Sequence, residues 1–194
     1  PAYNEANTIH FILDKVQAVQ LIQNVQKEVI IVNDCSKDDT EKAIFNYQKT
    51  NPLFNIQYFK HETNQGKGAA LHTGIKKASG DFIIIQDADL EYDPEEYNLL
   101  LKPILSGVAD VVYGSRFMDK QGKRTSYFWH YTANKFLTFL SNLFSGLNLT
   151  DMETCYKLVN TKMIQSIQLT EKRFGFEPEI TAKISRIKDI RLQE

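Results

Sequence analysis

Two cysteines and four histidines are all that this chain of 194 residues offers toward transition-metal binding. Cys35 and Cys155 stand far apart with no CxxC and no ligand spacing, and His10, His61, His72 and His130 are equally scattered. The sequence therefore gives no sign of a zinc-type cluster, and two plain thiols suit a reduced, cytoplasmic protein. An excess of charge of one sign is also lacking, because 23 Lys and Arg stand against 24 Asp and Glu. Without a basic field, nucleic acid is not an expected partner. Long hydrophobic runs are missing too. The most apolar stretch, residues 127–147, is interrupted by His130, Asn134, Lys135 and Asn142, so neither a membrane span nor a secretory signal is expected. The first residue is Pro1, not Met; a strand is expected immediately ahead of it, as in a chain cut at both ends.

What is present is globular material, 42% hydrophobic and 24% charged, enough for one domain with a sizeable core. Ile9, Ile12, Leu13 and Val16 recur at helical spacing and predict an amphipathic helix opening near Glu5 or Asn7. Residues 28–32 are β-branched and predict a strand, followed by a polar loop at 33–40 with several candidate N-caps. Residues 54–60 then read as a strand, 66–78 as a helix, 82–86 as a strand, 94–105 as a helix and 110–113 as a short strand. Beyond Gly114 come a polar loop with Arg116, Lys120, Lys123 and Arg124, an aromatic helix, the segment 151–159, and a helix from Pro178 to about Lys188. The alternation of β and α, with no repeat or linker, predicts a three-layer α/β/α sandwich with a mostly parallel sheet. In such a sheet ligands sit outside the carboxyl ends of the strands.

Asp87-Ala88-Asp89 closes the apolar run 82–86 and opens a loop with Glu91 and Asp93. Clustered carboxylates at a strand end repel one another and call for a cation or solvent. Hard oxygen ligands favour Mg or Mn, which commonly bridge to substrate phosphates. The competing reading is a solvated acidic turn before a helix, with Pro94 at its first position and Glu95-Glu96 at its N-terminus. Asn64-Gln65-Gly66-Lys67-Gly68-Ala69-Ala70 would let the backbone approach a phosphate at a helix start. It matches neither the Walker nor the dinucleotide pattern, and by itself reads as a tight turn feeding a helix. Asp34 reads either as an acceptor for a nucleotide base or ribose or as a turn former, with Asp38 or Asp39 capping the next helix. Arg116 reads as a bidentate phosphate ligand or a surface cation. Over 131–147, Phe136, Leu140, Leu143 or Phe144, and Leu147 share one helix face; core packing is expected, with membrane-interface contact as the alternative.

Taken in order, Pro1-Ala2-Tyr3-Asn4-Glu5, Val32-Asn33-Asp34-Cys35-Ser36, Asn64-Gln65-Gly66-Lys67-Gly68, Asp87-Ala88-Asp89 and Gly114-Ser115-Arg116-Phe117 resemble family 2 glycosyltransferases of the GT-A fold. The similarity is to the dolichol-phosphate mannose and glucose synthase branch and runs from Pro1 to about Ile184. It implies one GT-A domain over 1–194, with a nucleotide-sugar half at 1–113 and an acceptor half at 114–194. Pro1, Tyr3, Glu5 and Asp34 would contact the nucleotide, Lys67 would lie near its edge or phosphates, and Asp87 with Ala88 would touch the ribose or metal. Asp89 would be the principal ligand of Mg or Mn. Glu91 stands where the mannose synthases carry a metal-binding Gln, keeping an oxygen ligand with added charge. Asp151-Met152-Glu153-Thr154-Cys155-Tyr156-Lys157 departs from the Ser-Gly-Phe-Arg segment of that branch. Phe174-Gly175-Phe176-Glu177-Pro178-Glu179 resembles the acidic segment that lines the family's cleft.

The reaction so implied is inverting transfer of a sugar from a UDP- or GDP-sugar, with a divalent metal neutralising the departing diphosphate. The protein then mainly aligns the acceptor against an oxocarbenium-like carbon. The expected acceptor is a polyprenyl phosphate held by Arg116 and by Lys123 or Arg124, with peripheral contact at the cytoplasmic membrane face. A phosphate monoester is ionised at neutral pH and needs no general base, whereas a sugar hydroxyl would, with Asp151 as the candidate. Two rivals stay open: a nucleotidyltransferase, which would release diphosphate from a nucleoside triphosphate, and a catalytically silent sugar-nucleotide-binding or scaffold domain.

Overall fold

The helical spacing near the amino end is realised as α1 (Ile9–Ala18), whose Ile9, Ile12, Leu13 and Val16 are all buried. The computed structural model describes residues 1–117 and 128–194, the first three of the latter as backbone only. Lys120, Lys123, Arg124 and Tyr127 lie outside the described residues. After α1 come β1 (Val29–Asn33), α2 (Thr40–Thr50), β2 (Ile56–Lys60), α3 (Lys67–Lys77) and β3 (Phe82–Ile84). A 3-10 turn, Pro94–Glu96, is capped by Asp93, which accepts from the Glu95 N–H, and leads into α4 (Tyr97–Leu105). Then follow β4 (Val111–Tyr113), α5 (Phe128–Ser145), β5 (Lys157–Asn160), α6 (Thr161–Ser166), α7 (Phe176–Ile184) and β6 (Leu192–Gln193).

Among the described residues the strands form two sheets. β1 and β2 pair in parallel, Val29 opposite Ile56 and Asn33 opposite Lys60. The other sheet has the order β3-β5-β4-β6. β5 runs against β3 and β4, and β6 runs with β4, so β3, β4 and β6 share one direction. The architecture is the expected α/β one with mostly parallel strands, and β5 is the exception. Val111, Tyr113, Val159, Ile164, Phe176, Ile180 and Ile184 pack without solvent contact around β4, β5 and α7. Each such side chain contributes roughly 1.5–3 kcal/mol relative to exposure.

One expectation is corrected. The apolar face of α5 is mostly not core: Phe136 is 60% exposed, Leu143 65% and Phe144 86%, although Leu147, partly buried, packs against the core. The helix instead turns a polar stripe inward. Asn134 Nδ2 donates to Asp151 Oδ1 at 3.0 Å, Thr138 Oγ1 accepts from the Met152 N–H at 3.1 Å, and Asn142 bonds both the N–H and C=O of Leu149 at 3.0 and 2.8 Å. Spaced i, i+4, i+8, these three make one face. Thr138 and Asn142 satisfy backbone groups of the loop at 149–152, and Asn134 holds its Asp151 carboxylate.

Candidate active site

The amino end is laced to the loop after β1. Ala2 N–H donates to Val32 O and Asp34 N–H to Ala2 O, both at 2.9 Å. Asn4 N–H meets Ser36 Oγ at 3.0 Å, Glu5 N–H meets Thr40 Oγ1 at 2.8 Å, and Ala6 N–H meets Asp38 Oδ2 at 3.1 Å. This holds Pro1, Tyr3, Glu5 and Asp34 at the carboxyl end of β1, with Tyr3 exposed and Asp34 only 3% exposed. The Asp34 carboxylate is already engaged: Oδ1 accepts from Gln65 N–H at 2.9 Å and lies 2.7 Å from His61 Nδ1, while Oδ2 accepts from Gly66 N–H at 2.7 Å. His61 Nε2 is in turn 2.9 Å from Thr73 Oγ1. In this structure Asp34 anchors the glycine-rich turn. That turn is close-packed against the chain's own backbone, since a Cβ on Gly68 would sit 2.3 Å from Glu171 O and one on Gly66, at φ +100°, 2.5 Å from Lys172 O. Ala69 N–H also donates to Lys172 O at 2.9 Å, so part of the helix start that sequence offers to a phosphate is taken by residues 171–173.

At the end of the next strand, Lys67 reaches across from α3 to Asp87 Oδ2 at 3.0 Å and to Glu177 Oε1 of α7 at 3.1 Å. Burial alone would push the Asp87 carboxyl up, but Lys67 outweighs it and the net shift is downward. For Lys67 burial opposes the charge, yet Asp87 and Glu177 raise its pKa above the ordinary lysine value. Asp89 is exposed and its Oδ1 accepts from Glu91 N–H at 3.0 Å. Glu91 faces Arg116, Oε1 to Nη1 at 3.6 Å.

Among the described residues no three His, Cys, Asp or Glu side chains converge as a metal-binding group. The expected trio of Asp87, Asp89 and Glu91 is therefore not assembled here, because Asp87 turns to Lys67 and Glu91 to Arg116. The donor set nevertheless fits Mg or Mn in the mode that uses one or two carboxylates and completes its shell with phosphate and water. Asp89 and its neighbour Asp87 are the residues that would hold it.

Arg116 and Asp151 close the other side. Asp151 is wholly buried and accepts from Arg116 Nε at 2.7 Å, Arg116 Nη2 at 2.9 Å and the Arg116 N–H at 3.1 Å. Burial pushes its carboxyl up, and the Arg116 bonds more than reverse that, leaving it below the ordinary value. The guanidinium fork that sequence offers to a phosphate thus grips Asp151 on one edge and approaches Glu91 with Nη1.

Several site residues escaped the sequence. Gln86 Oε1 accepts from both Tyr97 and Tyr156 hydroxyls at 2.8 and 2.9 Å, and Tyr92 Oη accepts from Cys155 N–H at 2.9 Å. Lys157 is fully buried, donates to Met152 O at 3.0 Å and to Thr154 O, and lies 4.8 Å from the Tyr113 ring centre. Glu153 on the same turn is pushed up by burial and by Glu177. No local motif marks these groups; of the tyrosines and the lysine, only Tyr156 and Lys157 adjoin an apolar run, while Tyr92 and Tyr97 stand among acidic residues.

Acidic strand ends lie beside a half-buried Lys67–Asp87–Glu177 network in an α/β fold of the GT-A class. Solved structures agree on the fold. Glucosyl-3-phosphoglycerate synthase of Mycobacterium tuberculosis, in complex with Mn2+, UDP and phosphoglyceric acid, superposes on 100% of this chain and 65% of its own with TM-score 0.75 at 20% identity. A mannosyltransferase of Pyrobaculum calidifontis, with GDP-Man and Mn2+, covers 100% of this chain and 52% of its own with TM-score 0.69, also at 20% identity. The family model "Glycosyl transferase family 2" matches residues 1–168, and the chain belongs to that family. Among relatives, a dolichyl-phosphate beta-glucosyltransferase of Trichomonas vaginalis is 29% identical over 96% of this chain, which spans 60% of that protein's length. A UDP-N-acetylglucosamine–dolichyl-phosphate N-acetylglucosaminyltransferase of Methanococcus voltae is 28% identical over 90% of this chain and 73% of its own. These relatives are of the dolichol-phosphate branch that the motifs resemble.

Proposed function

We propose that the chain is the catalytic unit of an inverting glycosyltransferase that moves a hexose from a nucleoside diphosphate sugar to a polyprenyl phosphate. The observation that carries the acceptor choice is the state of Asp151. A carboxylate that is buried, held by Arg116 and Asn134 and lowered in pKa is a poor general base. An acceptor that brings its own ionised oxygen fits such a site, as does kinship with two transferases named for dolichyl phosphate. Arg116 keeps one edge toward the acid loop and supplies positive charge where acceptor and donor phosphates meet.

In this reading the half up to Tyr113 binds the donor and the half from Gly114 takes the acceptor. Pro1, Tyr3 and Glu5 border the nucleotide, and Asp34 fixes the turn that carries Lys67. Lys67 keeps Asp87 ionised. A divalent metal held by Asp89 and Asp87 would stabilise charge on the departing diphosphate, and Mn2+ in two structures of the same fold supports that use. The outward apolar face of α5, with Lys135 4.3 Å from the Phe117 ring centre, supports peripheral contact with the membrane that holds the lipid. No helix among the described residues is long and apolar enough to cross a membrane.

A hydroxyl acceptor is the second reading, and the raised carboxyl of Glu153 favours it over Asp151 as the base. Transfer assays with UDP- and GDP-sugars, Mn or Mg, and either undecaprenyl phosphate or sugar acceptors separate the two, with NMR reporting anomeric configuration. Turnover on hydroxyl acceptors alone, abolished by Glu153→Gln, would replace the lipid-phosphate reading. Nucleotide binding without turnover on any acceptor would leave a binding domain.

A further inference from the structure

We infer that His61 is a positioning residue of the donor site: through the Asp34 carboxylate it fixes the glycine-rich turn that carries Lys67, and nucleoside diphosphate affinity depends on it. This role rests on the donor half proposed above and adds to it a residue set back from the substrate.

β1 and β2 pair in parallel with Asn33 opposite Lys60, and the His61 N–H continues the ladder to Asn33 O at 2.9 Å. The next residues, Asp34 and His61, therefore leave adjacent strand ends, about 4.8 Å apart, and their side chains meet, with His61 Nδ1 2.7 Å from Asp34 Oδ1. The ring is 10% exposed and the carboxylate 5%, so neither can turn to water instead. A carboxylate only accepts, which puts a proton on Nδ1. On the other side of the ring, Nε2 lies 2.9 Å from Thr73 Oγ1. Thr73 stands on α3 one turn beyond Ala69, whose carbonyl accepts from the same hydroxyl at 3.2 Å. With a neutral ring the Thr73 hydroxyl donates to Nε2. With a charged ring Nε2 donates to Thr73, and the hydroxyl proton turns to Ala69 O. In both cases the Nδ1 proton stays on Asp34.

What the ring adds is a fixed origin. Asp34 also accepts from the Gln65 N–H at 2.9 Å and the Gly66 N–H at 2.7 Å, but both donors belong to the turn that Asp34 holds and cannot also aim it. His61 donates from the end of β2 and is itself held from α3, so it ties the carboxylate to the sheet. One residue beyond Gly66, Lys67 spans Asp87 at 3.0 Å and Glu177 at 3.1 Å. A swing of the Asp34 carboxylate is therefore passed to the cation that keeps Asp87 ionised. Binding groups keep their productive geometry only where a second layer of hydrogen bonds locks their rotamers, and His61 with Thr73 is that layer for Asp34.

The experiment measures the affinity for UDP and for GDP, each with manganese, by calorimetry in wild type, His61→Ala, His61→Asn and Thr73→Val, with circular dichroism to check each fold. His61→Ala is expected to weaken binding of the nucleotide that wild type takes by about tenfold or more. His61→Asn, whose amide can donate from near the Nδ1 position, is expected to restore most of that loss, and Thr73→Val to fall between. Nitrogen NMR of the imidazole is expected to show Nδ1 protonated in wild type and the Nε2 resonance shifted in Thr73→Val. Should His61→Ala fail to fold, Thr73→Val and the wild-type spectrum decide. Variants that bind the nucleotide like wild type, equal losses in His61→Asn and His61→Ala, or an unprotonated Nδ1 would each overturn the inference alone. A wild type that binds neither nucleotide would overturn the donor-half reading and the inference together, and shows itself before any substitution is made.

Discussion

Arg116 and Asp151 meet through two parallel hydrogen bonds, Nε to Oδ2 at 2.7 Å and Nη2 to Oδ1 at 2.9 Å. The pair joins the loop after β4 to the turn before β5, and Arg116 Nη1 extends the connection to Glu91 at 3.6 Å. Through these two ion pairs Arg116 ties the acid loop to the segment at 150–152. Glu194 reinforces it by accepting from the Thr150 and Asp151 N–H groups at 2.7 and 2.8 Å.

Asp151→Ala should destabilise the fold by about 3 kcal/mol, because it strands a mostly buried guanidinium. The folded carboxyl lies below its unfolded value, so its contribution is complete above the unfolded pKa and fades as pH falls through the lower folded one. Denaturant melts of wild type and variant should differ fully at pH 7 and converge only below the ordinary carboxylate range. A difference that vanishes by pH 5 would rule out the pair as its source.

Asp89→Asn should leave the circular dichroism and Tm unchanged, since the side chain is exposed, while transfer falls by tenfold for each roughly 1.4 kcal/mol of lost transition-state stabilisation. Manganese binding followed by electron paramagnetic resonance gives a readout apart from turnover. Equal metal affinity in variant and wild type would remove Asp89 from the metal site.

The fold was largely legible because its helices and first strands carry clean periods. Ile9, Ile12, Leu13 and Val16 are buried as their spacing demands, and β1, β2 and β4 lie within two residues of the ranges their composition predicts. β5 was not, because a strand opening on Lys157 reads as polar surface, although this lysine is one of the most buried side chains. The face of α5 was misassigned for a related reason. Periodicity locates an apolar stripe but not which side the neighbours occupy, and here the Asp151 carboxylate recruits Asn134 while loop amides and a carbonyl recruit Thr138 and Asn142. Of the candidate site, the strand-end acids were visible. The partners that decide what each can do, Lys67 with Glu177 and Asp34 with His61, come together only through the tertiary fold.

Gly68→Ala and Gly74→Ala should move stability in opposite directions. At Gly68 a methyl would meet the backbone of residues 171–172 at 2.3 and 2.8 Å, whereas at Gly74 its nearest neighbour is a Val32 methyl at 3.7 Å. The first should cost roughly 1–3 kcal/mol through overpacking, and the second should stabilise α3 by roughly 0.5–1 kcal/mol. Paired thermal melts decide; a neutral Gly68→Ala would mean that the segment at 171–173 yields freely.

Lys157 should make stability rise with pH above neutrality. Burial lowers its ammonium to about 8, against the upward pull of Glu177 and Asp151. Between that value and the ordinary lysine range the unfolded chain binds the proton that the folded one has released, so stability grows with pH across the window. The difference in unfolding free energy between wild type and Lys157→Met should therefore shift in favour of wild type from pH 8 to 10. A flat difference would show that the buried amine keeps its proton throughout.

Phe139→Ser with Phe144→Ser should weaken binding to vesicles without lowering the Tm. The two rings are 61% and 86% exposed, so folding buries only part of Phe139 and little of Phe144. An amphipathic helix binds an interface in proportion to the apolar area it inserts, and each phenylalanine contributes about 1.5–3 kcal/mol when fully buried. Loss of two should reduce the partition coefficient by tenfold or more in co-sedimentation with vesicles of neutral and anionic lipid. Asn142→Ala is the complementary change, expected to lower the Tm because the Leu149 N–H and C=O lose their partners, with vesicle binding of the folded protein unaltered. If the double serine variant instead lowers the Tm and binds vesicles like wild type, the outer face of α5 is covered by protein and not by lipid.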